Sequence, residues 1–211
     1  SDVCSSDLAG TILNNLCALG IGTIHAVGFC GDDGEGYELL RALRSKPGVR
    51  LDHFVQSAER RTFTYCKPLV IEPGKPPLEL NRLDSKNWTP TPALIEGMLV
   101  NSLEVRAREL QAVVVLDQVD VPETGVVTQR VLTALGQLRK LCPELPIIGD
   151  SRRGLRGWPP IIFKMNAAEL SALTGLPRDA GLLQIREAAA ALDRKSTRLN
   201  SSHLGISYAV F

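Results

Sequence analysis

The run "AVVVLD", residues 112–117, is five consecutive apolar residues closed by a carboxylate. A strand apolar on both faces has to be covered on both faces, and a parallel sheet flanked by helices provides that cover. The neighbouring sequence agrees. A helical period spans 123–141. "PIIGD" and "IIFKMN" read as two more short strands, and "AAELSALTG" and "LLQIREAAAALD" as helices. From residue 112 onward strands and helices alternate, which predicts an α/β domain with a mostly parallel sheet.

Upstream, Ile12, Leu13, Leu16 and Leu19 share one helical face, with Gly20 as a stop. "TIHAVG" reads as a short strand. Leu39, Leu40 and Leu43 mark a second helix, ended by Pro47-Gly48. Thr91 is placed to cap a helix with Pro92 as its first residue. The stretch 62–84 has a different character. "TFTYCKPLVI" and "LELNRLD" flank the turn cluster "EPGKPP", which predicts an antiparallel hairpin inserted into the domain. Pro68 has no N–H to give a ladder, so it places part of the first strand at an edge or a bulge.

Composition removes several function classes. Net charge is +1 over 211 residues, so no basic footprint for nucleic acid or an anionic membrane exists. No apolar run is long enough to cross a bilayer, and no signal peptide opens the chain. The five cysteines form no CxxC, and His25, His53 and His203 lie far apart in the sequence. Neither a zinc site nor a disulfide framework is indicated, and a reducing cytoplasm is the simplest compartment. The head, 1–8, has no clear period. The tail, 194–211, breaks with the helical pattern before it. Both resemble translated adapter sequence, the alternative for the tail being a genuine flexible end, and fold reasoning is confined to 9–193.

The stretch "AVGFCGDDGEGYELL", residues 26–40, invites a ligand reading and fails each template. Counting from Asp32, the twelfth position of a calcium loop is Leu43, not Glu. Gly28, Gly31, Gly34 and Gly36 do not give G-x-G-x-x-G, and no Walker A sequence occurs. What remains is a strand that ends in glycines, with Asp32 or Asp33 capping the next helix.

Taken in order, "LNNLCALG", "HAVGFCGDDGEGYELLRAL", "RRTFTYCK", "NRLD", "VVVLD", "GDSRR" and "FKMNAAEL" resemble the PfkB, or ribokinase-like, carbohydrate kinase family. The Gly-x-x-Gly-x-Asp-x-x-Gly pattern falls on Gly28, Gly31, Asp33 and Gly36. Arg82-Leu83-Asp84 is most similar to the heptose-phosphate kinase branch. The resemblance implies a ribokinase-like α/β fold with a small β-hairpin lid at about 62–84, ATP and Mg²⁺ as cofactors, and a sugar or sugar phosphate as substrate. It also leaves room for a homodimer through the lid.

It implies site residues too. Asn166 and Glu169 match the Asn-x-x-Glu that orders Mg²⁺ and nucleotide phosphates, although an N-cap with its capping-box partner explains the same spacing. Asp117 would meet the sugar or organise the metal, or else cap the next helix. Lys67 would reach a phosphate, or guard an edge strand. Arg152 and the adjacent Arg153 would contact phosphate, or be solvated surface; Arg152 is the one assigned to substrate.

No Gly-x-Gly-Asp occurs in the chain, so no catalytic base is assigned within it. That motif would supply the proton-accepting Asp and an anion hole, and it is expected beyond the residues given. Asp7-Leu8 stands where the family has a sugar-binding Gly-Gly after its first strand. The 211 residues are therefore expected to be inactive and poorly stable, with an unpaired sheet edge. The alternatives are a non-catalytic sugar- or nucleotide-binding protein on the same fold, a dehydrogenase-like α/β domain, and the kinase half of a bifunctional heptose-phosphate kinase/nucleotidyltransferase.

Overall fold

A computed structural model describes residues 8–177 and 180–196. The remaining positions, including most of the head and all but three residues of the tail set aside above, lie outside the described residues.

The chain opens with α1 (Leu8–Ala18), and Gly20 follows at φ 78°. β1 (Ile24–His25), β2 (Gly28–Gly31), α2 (Gly34–Arg44), β3 (Val49–Arg50) and β4 (Phe54–Ser57) come next. The expected strand "TIHAVG" is in fact split. β1 pairs with β3 and β2 with β4, both in parallel, so each half serves a different neighbour.

The stretch of glycines and acids resolves as a turn. Asp33 is the N-cap of α2, accepting from Gly36 N–H at 2.8 Å. The same carboxylate accepts from Thr62 N–H at 2.9 Å and Thr62 Oγ1 at 2.6 Å. One side chain thus opens a helix and anchors the segment that leads into the hairpin. Burial alone would raise the Asp33 pKa, but the bonds from Thr62 and Gly36 and the charge of Arg61 outweigh it and hold it below the usual value. A depressed carboxyl pKa adds stability above the unfolded value of about 4, and that stability is lost as pH falls through the folded value. Asp33→Asn is expected to flatten the dependence of stability on pH below about 4. Denaturant melts between pH 2.5 and 5 check this; equal slopes for both proteins would refute it.

The hairpin forms as two antiparallel ladders. β5 (Thr64–Cys66) pairs with β8 (Leu83–Ser85), and β6 (Leu69–Val70) pairs with β7 (Leu78–Glu79). Pro68 sits between β5 and β6, where a missing N–H interrupts the first strand as expected.

α3 (Ala93–Arg106), β9 (Val113–Asp117), α4 (Gln129–Leu141), β10 (Ile147–Ser151), β11 (Ile162–Phe163), α5 (Ala167–Thr174) and α6 (Leu182–Ser196) complete the order. β10 lies between β9 and β11, parallel to both. α3 packs on α4. Ile95 and Leu99 from α3 and Val131, Leu135 and Leu138 from α4 join Phe29, Val115 and Ile147 in one core. The architecture is a mostly parallel sheet flanked by helices, with a small antiparallel hairpin.

Three local expectations are corrected. Pro92, not Thr91, is the N-cap residue of α3. Thr91 is buried and spends its hydroxyl on Gly125 O at 2.7 Å, tying two loops together. α4 starts at Gln129 rather than at 123, because Glu123 takes a left-handed φ of 63° and Thr128 caps the helix through Val131 N–H. β9 is parallel but incompletely covered, with Val114 41% exposed. Among the described residues its only strand partner is β10, while β2 pairs only with β4. An apolar groove of about 1760 Å³ runs between β2 and β9, with α1 and α3 also along it. The expected unpaired edge is present as this groove.

Candidate functional site

Parallel strands β9 and β10 end together, and β11 stops two residues earlier. The register sets Asp117, last in β9, beside Ser151, last in β10, and Gly149 beside Phe163, last in β11. A crevice at the carboxyl ends of parallel strands is where such sheets take ligands.

Asp117 is 2% exposed. Its carboxylate accepts from Ser151 Oγ at 2.9 Å and from the Arg153 guanidinium at 2.7 Å. Burial pushes its pKa up, against the opposing pull of Ser151 and Arg153. A buried carboxylate with only one half-buried cation beside it is held in place but incompletely neutralised.

The two arginines after Asp150 diverge. Arg152 donates its backbone N–H to Asp117 O, and its side chain pairs with Asp120 at 3.4 Å. Arg153, read with Arg152 as a phosphate contact but not assigned to substrate, is the one bonded to the Asp117 carboxylate. Its side chain is 28% exposed, so it is fixed at one end and reachable from solvent. Lys164 adds a second cation, with Nζ 2.9 Å from Asp150 Oδ2. Ser151 and Lys164 were not singled out by sequence. Ser151 becomes visible only through the Asp117–Ser151 register, which no single segment encodes.

Asn166 and Glu169 form a complete capping box on α5. Glu169 N–H donates to Asn166 Oδ1 at 2.9 Å, and Asn166 N–H donates to Glu169 Oε2 at 2.7 Å. Asn166 is exposed and Glu169 partly buried, just beyond β11. The structural role is therefore real, and it also holds the two oxygens in fixed positions. Lys67 lies on the hairpin, paired with Glu79 at 3.2 Å and largely exposed. Asp117 and Lys67 line the large groove; Asn166, Glu169 and Arg152 do not. Most of that groove's wall is apolar, and only its end reaches the polar strand tips.

Among the described residues, no group of three or more His, Cys, Asp or Glu is arranged to hold a metal. Nor is any described helix long and apolar enough to cross a membrane.

No family model matches the chain. The bifunctional protein HldE of Hyphomonas neptunium is 30% identical over 207 residues, covering 95% of this chain and 40% of that protein. The chain thus spans well under half the length of this curated relative. Among solved structures, a PfkB protein from a Polaromonas species superposes with a TM-score of 0.58 at 14% identity, over 90% of this chain and 62% of that one. Arabidopsis thaliana ribokinase, complexed with ribose and ATP, gives a TM-score of 0.50 at 19% identity, over 82% and 52%. At these identities the likeness is one of fold, and the fold is ribokinase-like.

Proposed function

We propose that residues 9–193 are part of an ATP-dependent carbohydrate kinase domain of the PfkB kind, acting in the cytoplasm on a hydroxyl of a sugar or sugar phosphate. The observation that carries this reading is the buried Asp117–Ser151–Arg153 cluster at the carboxyl ends of β9 and β10, with Lys164 and the Asn166–Glu169 pair following β11, in a ribokinase-like fold that also bears an antiparallel hairpin. The resemblance of Arg82-Leu83-Asp84 to the heptose-phosphate kinase branch favours a heptose phosphate as substrate and a nucleotidyltransferase as companion domain, in line with partial identity to a protein named as bifunctional.

The residues fit ATP with Mg²⁺. Mg²⁺ keeps several waters and takes one or two protein oxygens plus phosphate oxygens, so a dedicated cage is not required. Asn166 and Glu169 would serve the hydrated metal and the phosphates. Bound Mg²⁺–ATP supplies the phosphoryl group and neutralises its charge. Arg153 and Lys164 would hold anionic oxygens, Asp117 would orient a sugar hydroxyl, and the lid would exclude water. No Gly-x-Gly-Asp occurs among the 211 residues, and no catalytic base is assigned within them. The lid exposes Leu69, Ile71, Leu78 and Leu80, a surface suited to pairing with the lid of a second copy.

The test uses the full reading frame that contains this chain. With Mg²⁺–ATP and a panel of sugars and sugar phosphates, phosphotransfer is expected, and none from the 211 residues alone. In the full protein, Glu169→Gln is expected to raise the KM for Mg²⁺–ATP about tenfold, since it keeps a capping acceptor and loses the charge. Nucleotide binding without transfer by the full protein would overturn the kinase reading in favour of a binding protein. An unchanged KM would remove Glu169 from the site.

A further inference from the structure

The motif Arg82-Leu83-Asp84 and the lysine after it have no part in the reading above, yet they build the most connected charge network among the described residues. Arg82 pairs with Asp84 at 2.6 Å, and Asp84 with Lys86 at 3.2 Å. Lys86 reaches across to Asp120 at 2.6 Å, and Asp120 meets Arg152 at 3.4 Å. The signs alternate along the whole chain of contacts. Its members come from three places: the return strand of the lid and the residue after it, the loop after β9, and the loop after β10.

The network also surrounds an aromatic ring. Tyr65, on the outgoing lid strand, has the Arg82 guanidinium 5.3 Å and the Lys86 ammonium 5.7 Å from its ring centroid. Its phenol donates to Gln118 O at 3.5 Å. Both strands at the lid's root are therefore fastened to the segment that follows Asp117. Lys86 is central, with a side chain only 15% exposed and bonds to carboxylates on both sides of the junction. Those bonds raise its pKa, and Lys86 in turn lowers that of Asp120. An alternating network is worth more than separate surface pairs; Lys86 and Asp84 at its centre are largely covered, while Arg82, Asp120 and Arg152 stay exposed to water.

We propose that Lys86 is a positioning residue that pins the lid to the strand-end crevice, setting the lid's angle over Asp117 through Asp120 and Arg152. Without it the lid root would keep its own ladder and lose its fixed seat. The pin does not depend on which ligand the crevice takes, so the proposal stands or falls separately from the kinase reading.

Hydrogen–deuterium exchange of the 211-residue chain and its variants tests it. Lys86→Met is expected to speed exchange of the lid amides, residues 64–85, about tenfold while residues 147–151 of β10 keep their protection. Asp120→Asn should act in the same direction, and Lys86→Arg should stay near the parent because it keeps the charge. Unchanged lid exchange in Lys86→Met would overturn the proposal. So would a parallel rise in the lid and β10, which would mean a general loss of stability, or an Asp120→Asn variant that leaves the lid untouched.

Discussion

Arg60→Met is expected to lower the unfolding free energy by about 2–4 kcal/mol, from the buried Thr124 carbonyl and the two partly buried ones of Thr89 and Pro90 that it leaves unbonded. Arg60 is 3% exposed, and its bonds run to oxygens of the chain rather than to a carboxylate. One guanidinium nitrogen donates to Thr89 O at 3.1 Å and Pro90 O at 3.3 Å, and the other to Thr124 O at 2.5 Å. The plane also lies 5.4 Å from the Phe29 ring centroid. Burial lowers its pKa, yet a guanidinium stays charged throughout the physiological range. The residue therefore joins the lead-in to the hairpin, the lead-in to α3 and the loop before α4. Methionine fills the volume and satisfies none of the three carbonyls. Arg60→Lys should recover only part of the loss, since one ammonium cannot match the spread of a planar fork. Urea denaturation of both variants measures the effect. A cost below about 1 kcal/mol for Arg60→Met would show that water takes over the carbonyls and that the junction does not need the arginine.

Arg60 also marks a boundary of what could be read without coordinates. The alternating elements after residue 112 were legible, because apolar runs and helical periods are local signals. So was the hairpin, since a proline- and glycine-rich turn between two β-branched strands leaves few other solutions. Helix starts were less so: Thr91 looks like a cap and is a loop brace, and α4 begins six residues late because Glu123 adopts a left-handed turn. At the candidate site, the motif residues were singled out by their order along the chain, but Ser151, Lys164 and the Arg153–Asp117 pair were not. Their partners lie 34, 14 and 36 residues away, and nothing local distinguishes Arg153 from Arg152. The register between β9 and β10 decides between them.

Gly36→Ala is expected to cost about 3 kcal/mol or more, against the usual gain of about 0.5–1 kcal/mol for that change inside a helix. Gly36 lies in the first turn of α2, buried against the end of β2. A Cβ there would overlap Gly31 O and sit 3.0 Å from both Asp33 Oδ1 and Thr62 Oγ1. Backbone oxygen cannot swing aside as a side chain can, so the helix would have to lift from the strand. Lifting it would pull the Gly36 N–H from the Asp33 cap and loosen the carboxylate's grip on Thr62, which leads into the hairpin. Gly34→Ala, two residues earlier, is the matched control, since an added Cβ meets nothing within 4 Å. It should be neutral or stabilising by up to about 1 kcal/mol. Denaturant melts of the pair separate two accounts of the glycine-rich stretch. If only Gly36→Ala is costly, the glycines serve close approach of helix to strand. If both are equally mild, the turn has slack, and the tight joint between α2, β2 and the lead-in to the hairpin is not what these glycines are for.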